Sequence, residues 1–424
     1  MNKDFRLAFD ILDRVFREGA YSNVLLTEVL DKADNRALLT RLVYGTLDKN
    51  ITIEYYISLL CDSKPNNKIY TILKLGIYML KFMDSIPPHA VVNEMVNLAE
   101  YAKKPKLSGF VNATLKNAVS KQFYLPKDEK MAISVQYSVP FWYVKCLFKQ
   151  YKKDNTINIL SQKSIDLEHI RINNKKISDT DLENKFNQLN IQFVKSEYGG
   201  YLIKNCEDIR KLFDKGYITY QSASSMIVCK ACDVKDGYAC LDMCASPGGK
   251  SVYLSSLAKN LKITACDVYP NRVEKINEYS TRMGVDNINA IVMDGTTLNQ
   301  DFKERFDLVL CDSPCSGFGI ARKKPDIYLN KSYEDILKLS EIQYKLLNNA
   351  IEYAKVGGSI VYSTCTILRE ENYNIVGRIL KERKDVKLEK MPIQFDNDGF
   401  IQLLPNEKGL DGFFIARLIK CQML

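Results

Sequence analysis

Histidine is nearly missing from this sequence. Two occur in 424 residues, His89 and His169, which excludes sites built from several imidazoles: histidine-rich metal centres and most Ser/His/Asp arrangements. Any chemistry must rest on other groups. Long apolar runs are missing too. No stretch approaches the roughly 18 uncharged apolar residues that a membrane-spanning helix needs, and the opening Met1-Asn2-Lys3-Asp4-Phe5 lacks the apolar core of a secretory signal. These absences predict a cytoplasmic protein with no membrane partner. The twelve cysteines are too dilute for a disulfide scaffold. In a reducing cytosol they are expected to be free thiols, metal ligands or catalysts.

What is present is ordinary for a globular chain. Hydrophobic residues are 46% and charged residues 26%, which excludes a disordered or collagen-like protein, and at ~100–200 residues per domain the length predicts two to four domains. The net charge of +9 is uneven: +4 over residues 1–140, +4 over 141–225 and +1 over 226–424. A polyanion such as RNA would be favoured by the upstream excess, although the same charge also serves plain solubility.

Three regions follow from the patterning, so the chain is expected to be multidomain. Residues 1–140 read as an all-α bundle. Leu7, Ala8, Ile11, Leu12, Val15 and Phe16 share one helical face, as do Val92, Met95, Val96 and Ala99. Pro/Asn punctuation at Lys64-Pro65-Asn66-Asn67, Ile86-Pro87-Pro88 and Lys103-Lys104-Pro105-Lys106 separates the helices. Residues 141–225 read as a small α+β domain. It starts with a helix over Trp142 to Tyr151 and has strands at 168–172, 191–194 and 201–203. A helix capped by Asp179 or Thr180 carries Leu182, Phe186 and Leu189, and His169, alone in a strand, is expected to be structural. From 226 to 424, apolar runs at 239–243, 263–266, 291–293, 308–310 and 359–362 alternate with helical segments. That rhythm predicts an α/β domain with a mostly parallel sheet. Ile401 to Leu404 and Asp411 to Leu418 should form an antiparallel hairpin at its edge.

Cys244-Ala245-Ser246-Pro247-Gly248-Gly249-Lys250-Ser251 follows the first of these strands. The glycines allow close backbone approach to a ligand, and the next helix offers free N–H groups. Gly249-Lys250-Ser251 looks like the end of a phosphate-binding loop, but that motif needs a glycine where Cys244 stands, and G-x-G-x-x-G is absent as well. Asp267 closes the next strand and is suited to accept both ribose hydroxyls of an adenosine. Asp294 and Asp312 close the two after it. With no pyrophosphate cradle, S-adenosyl-L-methionine suits the crevice better than NAD.

Two cysteines also lie at strand ends, in Asp312-Ser313-Pro314-Cys315-Ser316-Gly317-Phe318-Gly319 and in Ser363-Thr364-Cys365-Thr366. A lone cysteine is usually a small buried hydrophobe. A pair beside a cofactor loop suggests chemistry. Carbon 5 of a pyrimidine attacks a methyl sulfonium poorly until a thiolate adds at carbon 6 and makes carbon 5 enamine-like. A carboxyl near ring nitrogen 3 would assist, and a second thiol would help expel the first. No histidine is needed.

The stretches CASPGGK, DSPCSGFG and YSTCT resemble motifs I, IV and VI of RNA cytosine-5 methyltransferases. Two motif cysteines resemble the RNA rather than the DNA enzymes. Leu42-Val43-Tyr44-Gly45-Thr46-Leu47 and Gly109-Phe110-Val111-Asn112-Ala113-Thr114-Leu115 resemble the NusB helical fold. Together with the closing DGFFIARL, the whole chain is similar to the bacterial RsmB (Sun) family, within the NSUN-like superfamily. That resemblance implies a NusB-like RNA-binding domain and a Rossmann-like class I methyltransferase domain, with small-subunit (16S) ribosomal RNA as partner and one of its cytosines as target. It makes Cys365 the nucleophile, Cys315 the residue that assists product release and Asp312 the contact to base N3. Cys244, Ala245, Ser246, Pro247, Gly248, Gly249, Lys250, Asp267, Asp294 and Asp312 would hold S-adenosyl-L-methionine. Ser246 and Ser313 stand where alanine is usual in the family.

Arg322 and Lys323 are candidates for RNA phosphate contacts beside a flipped base, with a solvated loop as the alternative. Cys229 and Cys232 have metal-ligand spacing but no second pair, so they are read as core and no metal is expected. Nothing requires more than a monomer. The rival readings are a non-catalytic RNA-binding or ribosome-assembly factor, action on another RNA such as tRNA and, more remotely, a nicotinamide-dependent oxidoreductase.

Overall fold

The computed structural model describes residues 2–162 and 167–422. They form two compact units: Met1–Ser161 with Lys323–Lys331, and Gln162–Arg322 with Ser332–Leu424.

The first unit is helical. Helices Lys3–Glu18, Arg36–Asp48, Asn67–Phe82, Pro88–Tyr101 and Ser108–Ser120 bury Leu12, Leu39, Leu42, Ile72, Leu98 and Leu115 in one core. The helix starts are written in the sequence: side chains of Asn2, Asn35 and Asn66 accept the first free amides, and Pro88 begins its helix without a donor to satisfy. The boundary expected at 140 falls instead at 161. Helix Phe141–Ser161, broken at Lys152 where φ is 62°, packs against helix Glu129–Tyr137 and buries Tyr143, Val144 and Leu147. The Pro126 to Pro140 stretch therefore interrupts helices without interrupting the core. Segment Lys323–Lys331 joins this unit as well: Ser22 Oγ donates to Asp326 at 2.7 Å, and the rings of Tyr143 and Tyr328 lie 5.7 Å apart.

The second unit opens with an antiparallel sheet of β1 (Glu168–Ile172), β2 (Phe193–Lys195), β3 (Tyr201–Ile203) and β4 (Ile218–Tyr220), in the order β2-β3-β1-β4. Leu182 and Phe186 of helix Asp179–Gln188, and Ile209 and Leu212 of helix Glu207–Asp214, pack against Ile170, Ile203 and Ile218. The cap of the first of these helices is Ser178, whose hydroxyl accepts from the Asp181 amide, one residue before the expected Asp179 or Thr180. His169 is buried, with Nδ1 2.8 Å from the Gln221 carbonyl. Asn173 and Arg282 tie this sheet to helix Pro270–Met283. The Asn173 amide donates to the Gly216 and Met283 carbonyls, and the Arg282 guanidinium donates to the Phe213 and Ile218 carbonyls.

The large sheet contains β5 (Ala239–Asp242), β6 (Lys262–Asp267), β7 (Ile288–Val292), β8 (Phe306–Asp312), β9 (Ala354–Thr364), β10 (Val386–Leu388), β11 (Phe400–Leu403) and β12 (Phe413–Lys420). Its order is β10-β12-β9-β8-β5-β6-β7, with β11 also on β12. The five strands from β5 to β9 are parallel. The chain runs from β5 outward to β7, then returns to the far side of β5 for β8, which makes the carboxyl ends of β5 and β8 the switch point where open α/β sheets bind ligands. The closing hairpin forms antiparallel at the edge as expected, with β11 on the outer side of β12. β12 pairs with β9 on one side and with β10 and β11 on the other, because its nearly all-apolar run can be buried on both faces of a central strand.

Candidate active site

The loop after β5 turns tightly. The Gly248 amide donates to the Ala245 carbonyl at 2.7 Å, and the Ala245 amide donates to Cys266 of β6 at 2.8 Å. Gly248 has φ 106°, which a side chain would strain. Helix Gly249–Leu254 follows directly. Beneath the loop, Ser251 Oγ donates to the buried Asp242 at 2.6 Å. Burial pushes the Asp242 carboxyl up to about 6, against the lowering effect of Ser251. Asp267, at the end of β6, is buried and lies 3.3 Å from the Arg272 guanidinium. Asp294 lies two residues beyond β7, exposed, and caps the turn by accepting from the amide and hydroxyl of Thr296.

Lys250 reaches out of the glycine loop. Its ammonium lies 2.6 Å from Asp312 at the end of β8, and Ser363 Oγ donates to the other Asp312 oxygen at 2.6 Å. Burial disfavours the lysine charge, but the Asp312 carboxylate more than offsets it, so Lys250 is held firmly protonated.

The two loops with cysteines meet. Cys315 Sγ is 3.2 Å from Cys365 Sγ, and the Cys365 amide donates to the same Cys315 sulfur at 3.3 Å. The hydrogen bond from Cys315 draws the Cys365 thiol below its ordinary value. The Lys250 charge adds to this, while burial and the Asp312 and Glu371 carboxylates oppose it. Cys315 moves the other way, raised first by that hydrogen bond and then by burial. The two thiols therefore titrate as a pair, with the shift of Cys365 downward and that of Cys315 upward. Backbone contacts lock the loops together: the Ser313 amide donates to the Ser363 carbonyl at 2.9 Å and the Gly319 amide to the Cys365 carbonyl at 3.0 Å. A Cβ on Gly319 would sit 1.9 Å from the Gly412 carbonyl oxygen, so this close approach admits only glycine.

A family model described as 16S rRNA methyltransferase RsmB/F matches residues 230–419, and one described as NusB family matches residues 5–120. The chain is 33% identical to a Bacillus subtilis protein named "Probable ribosomal RNA small subunit methyltransferase B", covering 98% of both. The chain belongs to the RsmB/F family of rRNA methyltransferases. A relative in Erwinia tasmaniensis, named "Ribosomal RNA small subunit methyltransferase B", is 30% identical over 98% of each chain. The crystal structure of PH0851 has the same fold, with TM-score 0.84 at 24% identity over 98% of this chain and 99% of that one.

The RsmB/F match spans all the candidate residues, and the fold brings Lys250, Asp312, Cys315 and Cys365 into one site. Lys250, expected to hold the cofactor, directs its ammonium at Asp312, expected at the cofactor too. One expectation changes. Arg322, expected to meet RNA phosphate, is buried: its guanidinium donates to the Asn406 and Leu410 carbonyls and pairs with Asp411 at 3.1 Å, the two side chains being 8% and 1% exposed. Lys323 is exposed and opens the segment that joins the helical unit. Cys229 and Cys232 are buried and donate to the Lys250 and Val228 carbonyls, and burial pushes the Cys229 thiol up to about 12.

Sequence reasoning missed Ser363, Ser316, Gln343 and Glu371. A polar residue type carries no signal of its own burial, and only the β8–β9 register makes Ser363 face Asp312. Arg322→Met is expected to destabilise the protein by about 3–5 kcal/mol, since it takes the guanidinium from the buried Asp411 carboxylate and from the Asn406 and Leu410 carbonyls, and to leave the salt slope of RNA binding unchanged. A chemical denaturation curve and a salt titration check this. A shallower salt slope with unaltered stability would restore the phosphate role.

Proposed function

We propose that the protein transfers a methyl group from S-adenosyl-L-methionine to carbon 5 of one cytosine in small-subunit ribosomal RNA, as a cytoplasmic monomer. Cys365 is the nucleophile. The observation that carries this reading is the contact of the Cys315 and Cys365 sulfurs, 3.2 Å apart, beside the Lys250–Asp312 pair at the switch point of the sheet.

The glycine loop suits the cofactor. A Cβ on Gly249 would meet nothing nearer than Tyr279 Oη at 3.8 Å, which leaves open space before the loop for a ligand. In this reading Asp267 accepts from the ribose hydroxyls, Asp294 serves the adenosine side of the crevice, and Cys244 to Lys250 and Asp312 hold the rest of the cofactor. When bound, S-adenosyl-L-methionine supplies its methyl as an electrophilic carbon.

The side chains then divide the work. Cys365 adds its thiolate to carbon 6 of the cytosine, which forms a sulfur–carbon bond and pushes an electron pair through the ring towards N3. N3 takes up a proton as that charge develops, passed from the Lys250 ammonium through Asp312, to which it is hydrogen-bonded, and gives it back when the ring reforms. Carbon 5 is now nucleophilic and accepts the methyl. Loss of the carbon 5 proton to a base reforms the ring double bond, and the electron pair of the sulfur–carbon bond returns to Cys365. Cys315, whose sulfur lies 3.2 Å from that of Cys365, donates its S–H to the departing thiolate and stabilises it.

Labelled methyl from S-adenosyl-L-methionine should appear at carbon 5 of a single cytosine in small-subunit rRNA that lacks its modifications. Cys365→Ala should abolish transfer, and Cys315→Ala should accumulate a covalent protein–RNA adduct visible on a denaturing gel. Transfer by Cys365→Ala at the wild-type rate would refute the covalent route. Because the reactive form is the thiolate, kcat should rise with pH along an acid limb lying below the ordinary thiol pKa of about 8.5. Lys250→Met removes the cation that favours the thiolate and leaves the Asp312 charge unbalanced. It should move that limb to higher pH, and a limb that stays put would show that Lys250 does not act on Cys365.

A further inference from the structure

A buried carboxylate behind the cysteines has no part in the chemistry above. Glu371 is fully buried in the turn Arg369–Glu371. Its Oε1 accepts from the Ser316 amide at 2.7 Å and from Gln343 Nε2 at 3.0 Å, and its Oε2 accepts from Ser316 Oγ at 2.5 Å. Gln343, from helix Tyr333–Tyr353 and also fully buried, donates from the same nitrogen to the Pro314 carbonyl at 2.9 Å. Cys315 is thus held by both its chain neighbours, through Glu371 directly on one side and through Gln343 on the other.

The same carboxylate reaches the second loop. Ser316 Oγ and Thr366 Oγ1 are hydrogen-bonded at 2.9 Å, and Thr366 follows Cys365. The next residue, Asn372, donates its side-chain amide to the Thr366 carbonyl at 3.0 Å and accepts from Thr364 Oγ1 at 2.6 Å. The Tyr362 hydroxyl donates to the Glu371 carbonyl oxygen at 2.6 Å. Every residue flanking either cysteine therefore returns, directly or through one side chain, to Glu371 and Asn372.

We propose that Glu371 is the positioning residue of the thiol pair: its carboxylate clamps the loops carrying Cys315 and Cys365 in the register that brings their sulfurs together. This rests on the reading of Cys365 as the nucleophile. A carboxylate is a costly choice for that place. It is removed from water and its negative charge disfavours a thiolate on either cysteine. Geometry explains it, since a carboxylate offers acceptors on two oxygens and can take the Ser316 amide, the Ser316 hydroxyl and Gln343 at once. An amide in its place would turn a donor towards the Ser316 hydroxyl.

The two effects of Glu371 on Cys365 have opposite signs, which makes the proposal testable. The titratable groups facing Cys365 are Cys315, Asp312, Lys250 and Glu371. Removing the Glu371 charge alone would ease ionisation of Cys365. Releasing the clamp would take away the Cys315 hydrogen bond and hinder it. The experiment measures iodoacetamide alkylation of Cys365 against pH, by mass spectrometry, in the intact protein with Glu371→Ala, Glu371→Gln and Gln343→Leu.

Glu371→Ala should raise the midpoint of Cys365 alkylation by about one pH unit and lower kcat on the order of tenfold to a hundredfold, with the cofactor dissociation constant unchanged. Gln343→Leu should shift both less. In a Cys315→Ala background, Glu371→Ala should cause no further upward shift. A midpoint that falls or stays in folded Glu371→Ala, as a purely electrostatic or purely structural role requires, would overturn the clamp. If Glu371→Ala does not fold, Glu371→Gln and Gln343→Leu decide: a midpoint unmoved or lowered in both overturns it equally. Alkylation needs no turnover, so failure of the covalent route would show separately, as methyl transfer by Cys365→Ala.

Discussion

The parallel pairing of β8 with β9 is the constraint on which the site depends. Its register sets Asp312 opposite Ser363, so the two strands end level and their loops start side by side. From there Cys315, three residues beyond one partner, and Cys365, two beyond the other, converge to a sulfur separation of 3.2 Å. A slip of one residue would turn Asp312 or Ser363 to the opposite face and part the sulfurs. The register is well specified because β8 and β9 are central strands buried on both faces, with Leu308, Val309, Leu310, Ile360, Val361 and Tyr362 fully or almost fully buried.

Electrostatics at this place is tightly balanced. Lys250 is a half-buried cation near Asp312 and Asp242, and the Glu371 carboxylate lies behind the cysteines. Such density is tolerable because each charge has hydrogen-bonded partners: Lys250 on Asp312, Ser363 on Asp312, Ser251 on Asp242, and Ser316 with Gln343 on Glu371. Low dielectric makes each of these contacts count for more than it would in water. Small hydroxyls from motif serines supply the neutral donors, which accounts for the serine-rich character of the loops around the cysteines.

The long polar side chains that sequence inspection assigns to solvent or RNA are in part structural. Arg322 belongs to this class: buried against Asp411 and two carbonyls, it staples the loop after Cys315 to the turn before β12. Together with the contact of Gly319 and Gly412, it makes the closing DGFF segment a support of the DSPCSGFG loop. The closing strand is thereby paired on both sides and close to the chemistry at the same time.

By itself the sequence determined the helical periodicities of the first unit, the strand–helix alternation of the second, the glycine loop and the two cysteine motifs, because these depend on local spacing and on residue types with narrow uses. The stripe from Leu7 to Phe16 lies in one helix, and each of the five parallel strands overlaps one of the apolar runs, β7 starting three residues before its run. The motifs also carried the family. Only the tertiary structure decided which loops meet. The sulfur–sulfur contact, the turn of Lys250 towards Asp312, the burial of Arg322 and the clamp at Glu371 join residues between 28 and 89 positions apart. Nothing local distinguishes Glu371 from the exposed charges around it, and Phe141–Ser161 stays with the helical unit because of what it packs against. Side-chain burial is a property of the assembled layers, and a chain read one residue at a time does not contain it.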